Sequence, residues 1–450
     1  MKAIILAGGK GTRLRPLTYT KPKPLLPLAG EPSIVRLIQK LAREGIDEIV
    51  VTTNYFANQL RATLGDGSKY GVRIHHVEEE TPLGTAGSVK NSESLIDGTF
   101  VVVQGDNQFE HDLRSVVEAH RGLGALATLA IMEVDDPSGY GIAQLTDGRV
   151  TRFLEKPGPE QSFSKLINTG LYVLEPDALD LVPAGKPFDF SRDLFPLMLE
   201  SKKILAGCRV SGFWVDIGDP WSYLKATMWA LDKLHAGTKD KITLAQGSSV
   251  AETATLTGPL YVCKNAKIQK DAEIGPYACV GEGSEVLAGA TIASSVVYEN
   301  TRIGSNSILD TCVVAENCKI GDRVQIKCNA VVGAATELGE NSSLAVGSRV
   351  GPWTLVQPHA KVEGTVADLE NDAERISGLL ERSRAGLGLT IGEAKVCGAL
   401  CRLGETDAKT VSDAAKIPYS RAESLLLGLQ ERGMVTSYGN LPRVFSLARA

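Results

Sequence analysis

AKIQKDAEIGPYACVGEGSEVLAGATI, residues 266–292, places an aliphatic side chain at Ile268, Ile274, Val280, Val286 and Ile292, one in every six. Two residues before each stands a small one: Ala266, Ala272, Ala278, Ser284 and Ala290. The beat extends back through Val250, Leu256 and Val262. It extends forward through Val297, Ile303, Leu309, Val314, Ile320, Ile326, Val332, Leu338, Leu344, Val350, Val356 and Val362, with small residues again at Ser348 and Ala360. Only the steps Ile292 to Val297 and Leu309 to Val314 are shorter by one residue. This period predicts a three-sided parallel β-helix of about six to seven coils, each burying its aliphatic row against the next, with the small residues at tight corners.

The chain before the repeat has a different rhythm. Short β-branched runs at Ala3–Leu6, Glu48–Thr52, Phe100–Val103 and Ala127–Met132 alternate with helical patterns such as Ile34–Arg43. That alternation predicts an α/β domain, a mostly parallel sheet with helices on both faces, whose ligands bind beyond the carboxyl ends of the strands. The first strand runs into Gly8-Gly9-Lys10-Gly11-Thr12-Arg13-Leu14-Arg15-Pro16-Leu17-Thr18, followed by Lys21-Pro22-Lys23-Pro24-Leu25. Glycines leaving a strand let backbone N–H groups approach phosphate oxygens, and the cations behind them supply charge. The spacing is neither a Walker loop nor GxGxxG.

Composition narrows the classes. Four hundred and fifty residues suit about three domains. The 48 Lys and Arg stand against 53 Asp and Glu, a net charge of −5, so the whole chain carries no basic field for nucleic acid. No apolar run approaches the roughly 18 residues of a spanning helix, and MKAIILA is too short for a signal segment, so a soluble, cytoplasmic protein without a membrane partner is expected. The eight cysteines form no CxxC pair, which suits buried small apolar side chains in a reducing compartment.

GGKGTRLRPLT with KPKPLLP resembles the signature of the sugar-phosphate nucleotidyltransferases, or NDP-sugar pyrophosphorylases, with a Rossmann-like catalytic domain. Further motifs follow in that family's order: Pro82-Leu83-Gly84-Thr85-Ala86-Gly87, Gly105-Asp106-Asn107, Tyr140-Gly141, Glu155-Lys156-Pro157, Asn168-Thr169-Gly170 and Trp214-Val215-Asp216-Ile217-Gly218. The resemblance implies that a sugar 1-phosphate attacks the α-phosphorus of a nucleoside triphosphate, giving an NDP-sugar and pyrophosphate without a covalent enzyme intermediate. Catalysis then comes from in-line positioning and charge neutralisation.

By the same resemblance, Arg13 holds the departing β/γ-phosphates. Lys23 neutralises the α-phosphate and the incoming sugar phosphate. Asp106 and Asp216, each after an apolar strand, hold Mg²⁺, which takes one or two carboxylates plus phosphates. Leu6, Gly8, Gly9, Gly11, Thr12, Glu79 and Gly84 fall on the nucleotide side. Gly141, Glu155, Lys156 and Asn168 fall on the sugar-phosphate side. Glu79 stands where pyrimidine-using relatives tend to carry glutamine, and a carboxylate, which only accepts, suits the N–H donors of guanine. The three consecutive glutamates Glu78 to Glu80 leave the register open, and Gly105-Asp106-Asn107 also occurs in thymidylyltransferase-like relatives. The domain looks most like mannose-1-phosphate guanylyltransferases. Glucose-1-phosphate thymidylyl- or uridylyltransferases, and bifunctional glucosamine-1-phosphate acetyltransferase/N-acetylglucosamine-1-phosphate uridylyltransferases, are the alternatives.

The repeat resembles the left-handed β-helix family, whose flat faces pack into homo-oligomers. Some relatives use a β-helix histidine as an acetyltransferase base. Here the one candidate is His359, and the Asn-x-Arg-His-Asp stretch of the bifunctional archaeal enzymes is missing, which argues against a second activity. Beyond the repeat, three helical patterns near 391–403, 407–415 and 419–432 precede two short strands in Met434–Leu447. They resemble the winged helix-turn-helix of TrmB-type regulators. With eight Lys/Arg against six Asp/Glu in residues 391–450, and with Arg421 and Arg432 offset by Glu423 and Glu431, that module reads as protein-contacting or regulatory ahead of DNA-binding. Leu425, Leu426, Leu427 and Leu429 are its expected packing face. The expected organisation is therefore a catalytic domain at 1–240, a β-helix at 245–365, a linker at 366–388 and a winged helix at 389–450. A reading of another class keeps the catalytic fold as a sugar-nucleotide sensor reporting through the winged helix.

Overall fold

The computed structural model describes residues 1–366 and, after them, 393, 396, 399–400, 406–415, 417–431, 435–438 and 444–447. Apart from Val366, the expected linker lies outside the described residues. Two compact units form: Met1–Gly11 with Lys21–Ser222, and Thr12–Thr20 with Tyr223–Ala450.

In the first unit the β-branched runs become strands β1 (Lys2–Leu6), β2 (Glu48–Thr53), β3 (Arg73–Glu78) and β4 (Phe100–Gln104). They lie parallel in the order β3-β2-β1-β4. A short β5 (Asn107–Phe109) leads to β6 (Ala127–Glu133), the hairpin of β7 (Gly141–Thr146) and β8 (Arg149–Glu155), then β9 (Leu166–Leu174), β10 (Leu205–Arg209) and β11 (Trp214–Asp216). The sheet continues β4-β9-β6-β10-β8-β7, with β9 antiparallel to both β4 and β6. It is thus mixed in its second half, which apolar runs do not reveal, since they record a strand but not its direction. The amphipathic helix α1 (Ser33–Arg43) buries Ile34, Val35, Leu37, Ile38 and Leu41, the spacing of one helical face. Those side chains join one core with Ile5, Ile49 and Val101, while Ile4, Val50, Val102 and Leu129 enter a second, the division expected of a sheet with two covered faces.

The second unit contains the β-helix. Three parallel sheets of eight, seven and seven strands run from Ile242 to Val366. Partners in successive coils are 18 residues apart, as in Leu260 with Ala278, and 17 apart where the sequence slips, as in Ile292 with Leu309. The aliphatic row forms one continuous core from Leu260 to Val362, each fully buried side chain contributing about 1.5–3 kcal/mol. Three residues before the inward aliphatic the backbone turns left-handed, at Asn265, Asn300, Asn306, Asn317, Asn329 and Asn341 with φ between 54° and 59°, a conformation asparagine tolerates better than most side chains. His359 occupies another of these corners, φ 62°, and is exposed. Cys312 and Cys318 are buried in the coil, where desolvation pushes both thiols up to about 12.

Two sheets present polar side chains outward, including the ion pairs Glu285–Arg302 and Lys319–Glu337. On the third, the outward Cys279, Val296, Val313 and Val331 are buried. Beside that sheet Thr20 Oγ1 donates to Glu316 Oε1 at 3.2 Å. There too Tyr223, on the helix Pro220–Leu234, meets Tyr298 edge to face at 6.4 Å.

Near the C-terminus, Ala408–Ala415 and Tyr419–Glu431 are helices, and Val435–Tyr438 and Val444–Leu447 form a hairpin. Thr406–Asp407 adds a third strand, which the sequence reading did not anticipate. The fold is a winged helix. Leu425, Leu426 and Leu429 are buried, but Leu427 is exposed, because it lies about 100° round the helix from Leu426 and away from the apolar face. Arg432 lies outside the described residues.

The small corner residues of the β-helix do more than save space. Ser307 Oγ donates to the Gly321 carbonyl at 2.8 Å and accepts from the Val324 N–H at 3.0 Å. Ser284 and Thr301 repeat this bridge with Tyr298 and Thr301, and with Ala315 and Cys318, respectively. Ser307→Ala strands the buried Val324 N–H and the partly buried Gly321 carbonyl and is expected to cost about 1–3 kcal/mol. Denaturant unfolding monitored on the β-helix signal measures it; a loss within a few tenths would mean the hydroxyl bridge is dispensable.

Candidate active site

The carboxyl ends of β1, β2, β3 and β4 lie side by side. Leu6 is in register with Thr52 and Gln104, and the Gly105 N–H donates to the Leu6 carbonyl at 2.9 Å. A Cβ on Gly105 would stand 2.8 Å from that same oxygen, so only glycine lets the chain turn here and bring Asp106 over the end of β1. Gly8 abuts Asn54, whose side-chain amide donates to the Glu79 carbonyl at 2.8 Å. Gly9 has open space around its Cα, and Gly11 is left-handed, φ 62°.

Burial separates the three glutamates. Glu78 is half exposed and 3.6 Å from Arg61, Glu80 is exposed, and Glu79 is 6% exposed. Glu79 Oε2 accepts from the Leu83 N–H at 3.2 Å, while Oε1 is buried without a hydrogen-bond partner among the described residues. An orphaned carboxylate oxygen in this position calls for a donor. Gly84, at the end of the same loop, opens helix α2 (Gly84–Lys90).

Asp106 and Asp216 converge on one cation. β5 and β11 pair antiparallel with Asn107 opposite Asp216, and the Ile217 N–H donates to the Asp106 carbonyl at 3.1 Å. Between the two carboxylates lies the Lys23 ammonium, hydrogen-bonded to Asp106 Oδ2 and 3.3 Å from Asp216 Oδ1. Lys23 is 9% exposed. The three side chains expected to carry the chemistry are therefore one cluster. Two carboxylates that already enclose a positive charge, both partly open to solvent, fit a divalent cation whose remaining ligands are phosphate oxygens and water.

On the other flank Gly141 is in register with Glu155 at the ends of β7 and β8. Lys156 follows in a left-handed conformation, φ 47°, its N–H donating to the Tyr140 carbonyl at 3.1 Å and its ammonium 4.0 Å from Glu155 Oε1. The Asn168 side-chain amide donates to Tyr172 Oη at 2.9 Å and Ser191 Oγ at 3.2 Å. Burial holds the Tyr172 hydroxyl protonated, its pKa pushed up to about 12. Tyr140 and Trp214 meet edge to face at 5.4 Å, and Trp214 Nε1 and Asn107 Nδ2 both donate to the Thr169 carbonyl. Trp214 and Asn107 were visible in their motifs. Tyr172 and Ser191 carried no signal beyond apolar and polar runs. Thr12 and Arg13 fall in the second unit, in the turn Thr12–Leu14, where the Arg15 N–H donates to the Thr12 carbonyl at 3.2 Å.

Residues 2–233 match the nucleotidyl transferase family model, 256–366 the GMPPB C-terminal domain and 384–450 the sugar-specific transcriptional regulator TrmB. A UTP–glucose-1-phosphate uridylyltransferase of Synechocystis sp. is 32% identical over 332 residues, covering 69% of this chain and 86% of that protein. Mannose-1-phosphate guanylyltransferase 1 of Arabidopsis thaliana is 30% identical over 373 residues, 81% and 98%. Mannose-1-phosphate guanylyltransferase of Mycobacterium tuberculosis is 32% identical over 318 residues, 68% and 82%.

Burial alone would lower the pKa of Lys23, but the carboxylates of Asp106 and Asp216 outweigh it and hold the ammonium above the ordinary lysine value. A raised lysine pKa gives stability that is whole below the unfolded-state value, about 10.4, and is lost as pH rises through the folded one. Lys23→Met at neutral pH leaves two neighbouring carboxylates without their cation and is expected to cost roughly 2–4 kcal/mol, part of it restored by adding Asp106→Asn. Denaturant titration of the single and double variants reads both. A Lys23→Met protein as stable as wild type would dismiss the cluster as an energetic unit.

Proposed function

The chain belongs to the nucleotidyl transferase family, and from that premise we propose that it is a mannose-1-phosphate guanylyltransferase, making GDP-mannose and pyrophosphate from GTP and mannose 1-phosphate. The observation that carries the choice of base is Glu79: a buried carboxylate with one unpartnered oxygen. Guanine offers it two adjacent donors, N1–H and N2–H₂, whereas uracil and thymine offer a single N3–H flanked on both sides by carbonyl oxygens that a carboxylate repels. The relatives named for guanylyl transfer support the same choice.

In the reaction an oxygen of the sugar phosphate forms a bond to the α-phosphorus as the bond to the β-phosphate bridging oxygen breaks. Pyrophosphate carries the electron pair away. The N–H groups of Gly8 to Thr12 and the Arg13 guanidinium take the β/γ-phosphates. Lys23 neutralises the α-phosphate and the approaching sugar phosphate. Asp106 and Asp216 are the side chains that would hold a divalent cation, for which Mg²⁺ is the proposed ion, and its chemistry when bound is Lewis-acid neutralisation of phosphate charge. Lys156 binds the sugar phosphate. Glu155 accepts from sugar hydroxyls, and Asn168 and Gly141 line the same pocket.

The proposal extends to the rest of the chain. The flat faces of the β-helix are proposed to pack into a homo-oligomer, and the enzyme is proposed to work in the cytoplasm. The TrmB-type domain supports a second reading, a sugar-nucleotide-responsive regulator with a protein or DNA partner.

Pyrophosphate release from purified protein with Mg²⁺ tests the assignment, run across ATP, GTP, UTP, CTP and dTTP against mannose, glucose, glucosamine and N-acetylglucosamine 1-phosphates. GTP with mannose 1-phosphate is the expected pair, and preference for UTP or dTTP overturns the Glu79 argument. Silence across the panel with sugar nucleotide still bound favours the regulator. Glu79→Gln is expected to lower kcat/KM for GTP at least about tenfold, the equivalent of one charged hydrogen bond. Asp106→Ala and Asp216→Ala are each expected to lose at least about a hundredfold in turnover with folding retained; unchanged rates would remove them from the cation site.

A further inference from the structure

Residues Phe188 to Asp193 hold both flanks of the active site at once. Toward the nucleotide-side loop, the Phe188 N–H donates to the Leu83 carbonyl, and the Phe188 carbonyl accepts from the Ala86 and Gly87 N–H groups, each at 2.9 Å. Gly84 is left-handed here, φ 70°, and a Cβ on it would stand 2.8 Å from the Phe188 oxygen, so the two backbones lie at their closest approach. Asp189 Oδ1 accepts from both the N–H and the hydroxyl of Thr85, at 3.1 and 3.0 Å. The Thr85 hydroxyl in turn accepts from the Phe190 N–H at 2.9 Å, closing the ring.

Two residues on, the same segment reaches the sugar side. Ser191 Oγ accepts from the Asn168 amide, and the buried Phe190 ring lies 5.0 Å from that of Tyr172, the other acceptor of Asn168. The turn Phe190–Leu194 is π-helical, an uncommon geometry that concentrates at functional sites. Asp193 Oδ2 ties it down by accepting from the Asp189 N–H at 2.7 Å. A shift of the Gly84 loop would therefore be passed to Asp189 and, along the chain to Ser191, to a hydroxyl that accepts from Asn168.

We propose that Asp189 and Ser191 are positioning residues that couple the nucleotide subsite to the sugar-phosphate subsite, so that occupancy of one tightens the other. This rests on the assignment of Gly84 to the nucleotide and Asn168 to the sugar. Coupling of this kind is reciprocal: whatever factor the nucleotide applies to sugar-phosphate affinity, the sugar phosphate applies to nucleotide affinity.

Calorimetric titration of the full-length protein with a non-hydrolysable GTP analogue and with mannose 1-phosphate, each alone and each in the presence of the other, measures that factor. The pair selected by the pyrophosphate panel replaces these probes if it differs. Wild type is expected to show tightening of about fivefold or more in both directions. Asp189→Ala and Ser191→Ala are expected to bring the factor close to one while each ligand still binds alone. Asp189→Asn, which keeps the Oδ1 acceptor, is expected to retain the wild-type factor. A merely structural role would weaken both ligands or lower Tm without changing the ratio. Equal coupling in wild type and Ser191→Ala, or none in wild type, overturns the proposal while leaving the enzyme assignment standing. Failure of either ligand to bind wild type even in the presence of the other overturns both. Should Asp189→Ala not fold, Ser191→Ala decides alone.

Discussion

The catalytic face depends on a single ammonium held between two carboxylates. Lys23 is 83 residues from Asp106 and 193 from Asp216, so nothing local brings them together. The fold does it with backbone. The first four strands end at one level because they are parallel and in register, and the glycine after β4 lets the chain turn close over the end of β1. The β5–β11 pairing then fixes Asp216 beside that turn. A buried cation between two carboxylates costs desolvation that only close, hydrogen-bonded geometry offsets. The sheet supplies that geometry in advance. A phosphate-transfer site gains most from charges placed before the substrates arrive.

Much of this was legible before any coordinates. The six-residue beat is a direct image of coil geometry, and even its two short steps reappear as 17-residue coils. Lys23, Asp106 and Asp216 were marked by their motifs, and strand-then-Asp placed both acids at strand ends. The structure adds what spacing does not encode. Lys23 bridges the two acids rather than standing apart from them. Glu79, of three adjacent glutamates, is the buried one: Thr53 and Asn54 hold its backbone and its carboxylate turns back onto the Leu83 N–H. Leu427 faces outward because four leucines in a five-residue stretch span more than one helical face. The antiparallel β9 was hidden because β-branched composition carries no strand direction.

The Phe188–Asp193 segment was invisible for a sharper reason. Its bonds to the Gly84 loop cross about a hundred residues, and half of them join backbone to backbone. A main-chain N–H or carbonyl is the same in every residue, so sequence records its role only through exclusions, such as the glycine at position 84. Asp189 and Thr85 are the exception, a side-chain pair: Thr85 stands in the Gly84 motif, but nothing marks Asp189 in a chain with 53 acidic residues.

The β-helix raises a related point about where the protein divides. Its aliphatic interior would be satisfied by any three-sided coil, and two outer sheets are polar as an isolated solenoid requires. The third is not: Val296, Val313 and Val331 face outward and are fully or almost fully buried. An apolar outer face has to be covered, and the burial of these valines shows that this chain covers it. In this unit Thr12–Thr20 and the helix from Tyr223 onward are what the chain offers, joined there by Thr20 with Glu316 and by Tyr223 with Tyr298. Thr12–Thr20 is also the middle of the glycine-and-cation signature, between Gly11 and Lys21. The coil therefore contacts a stretch that the motif alone would assign wholly to the α/β domain.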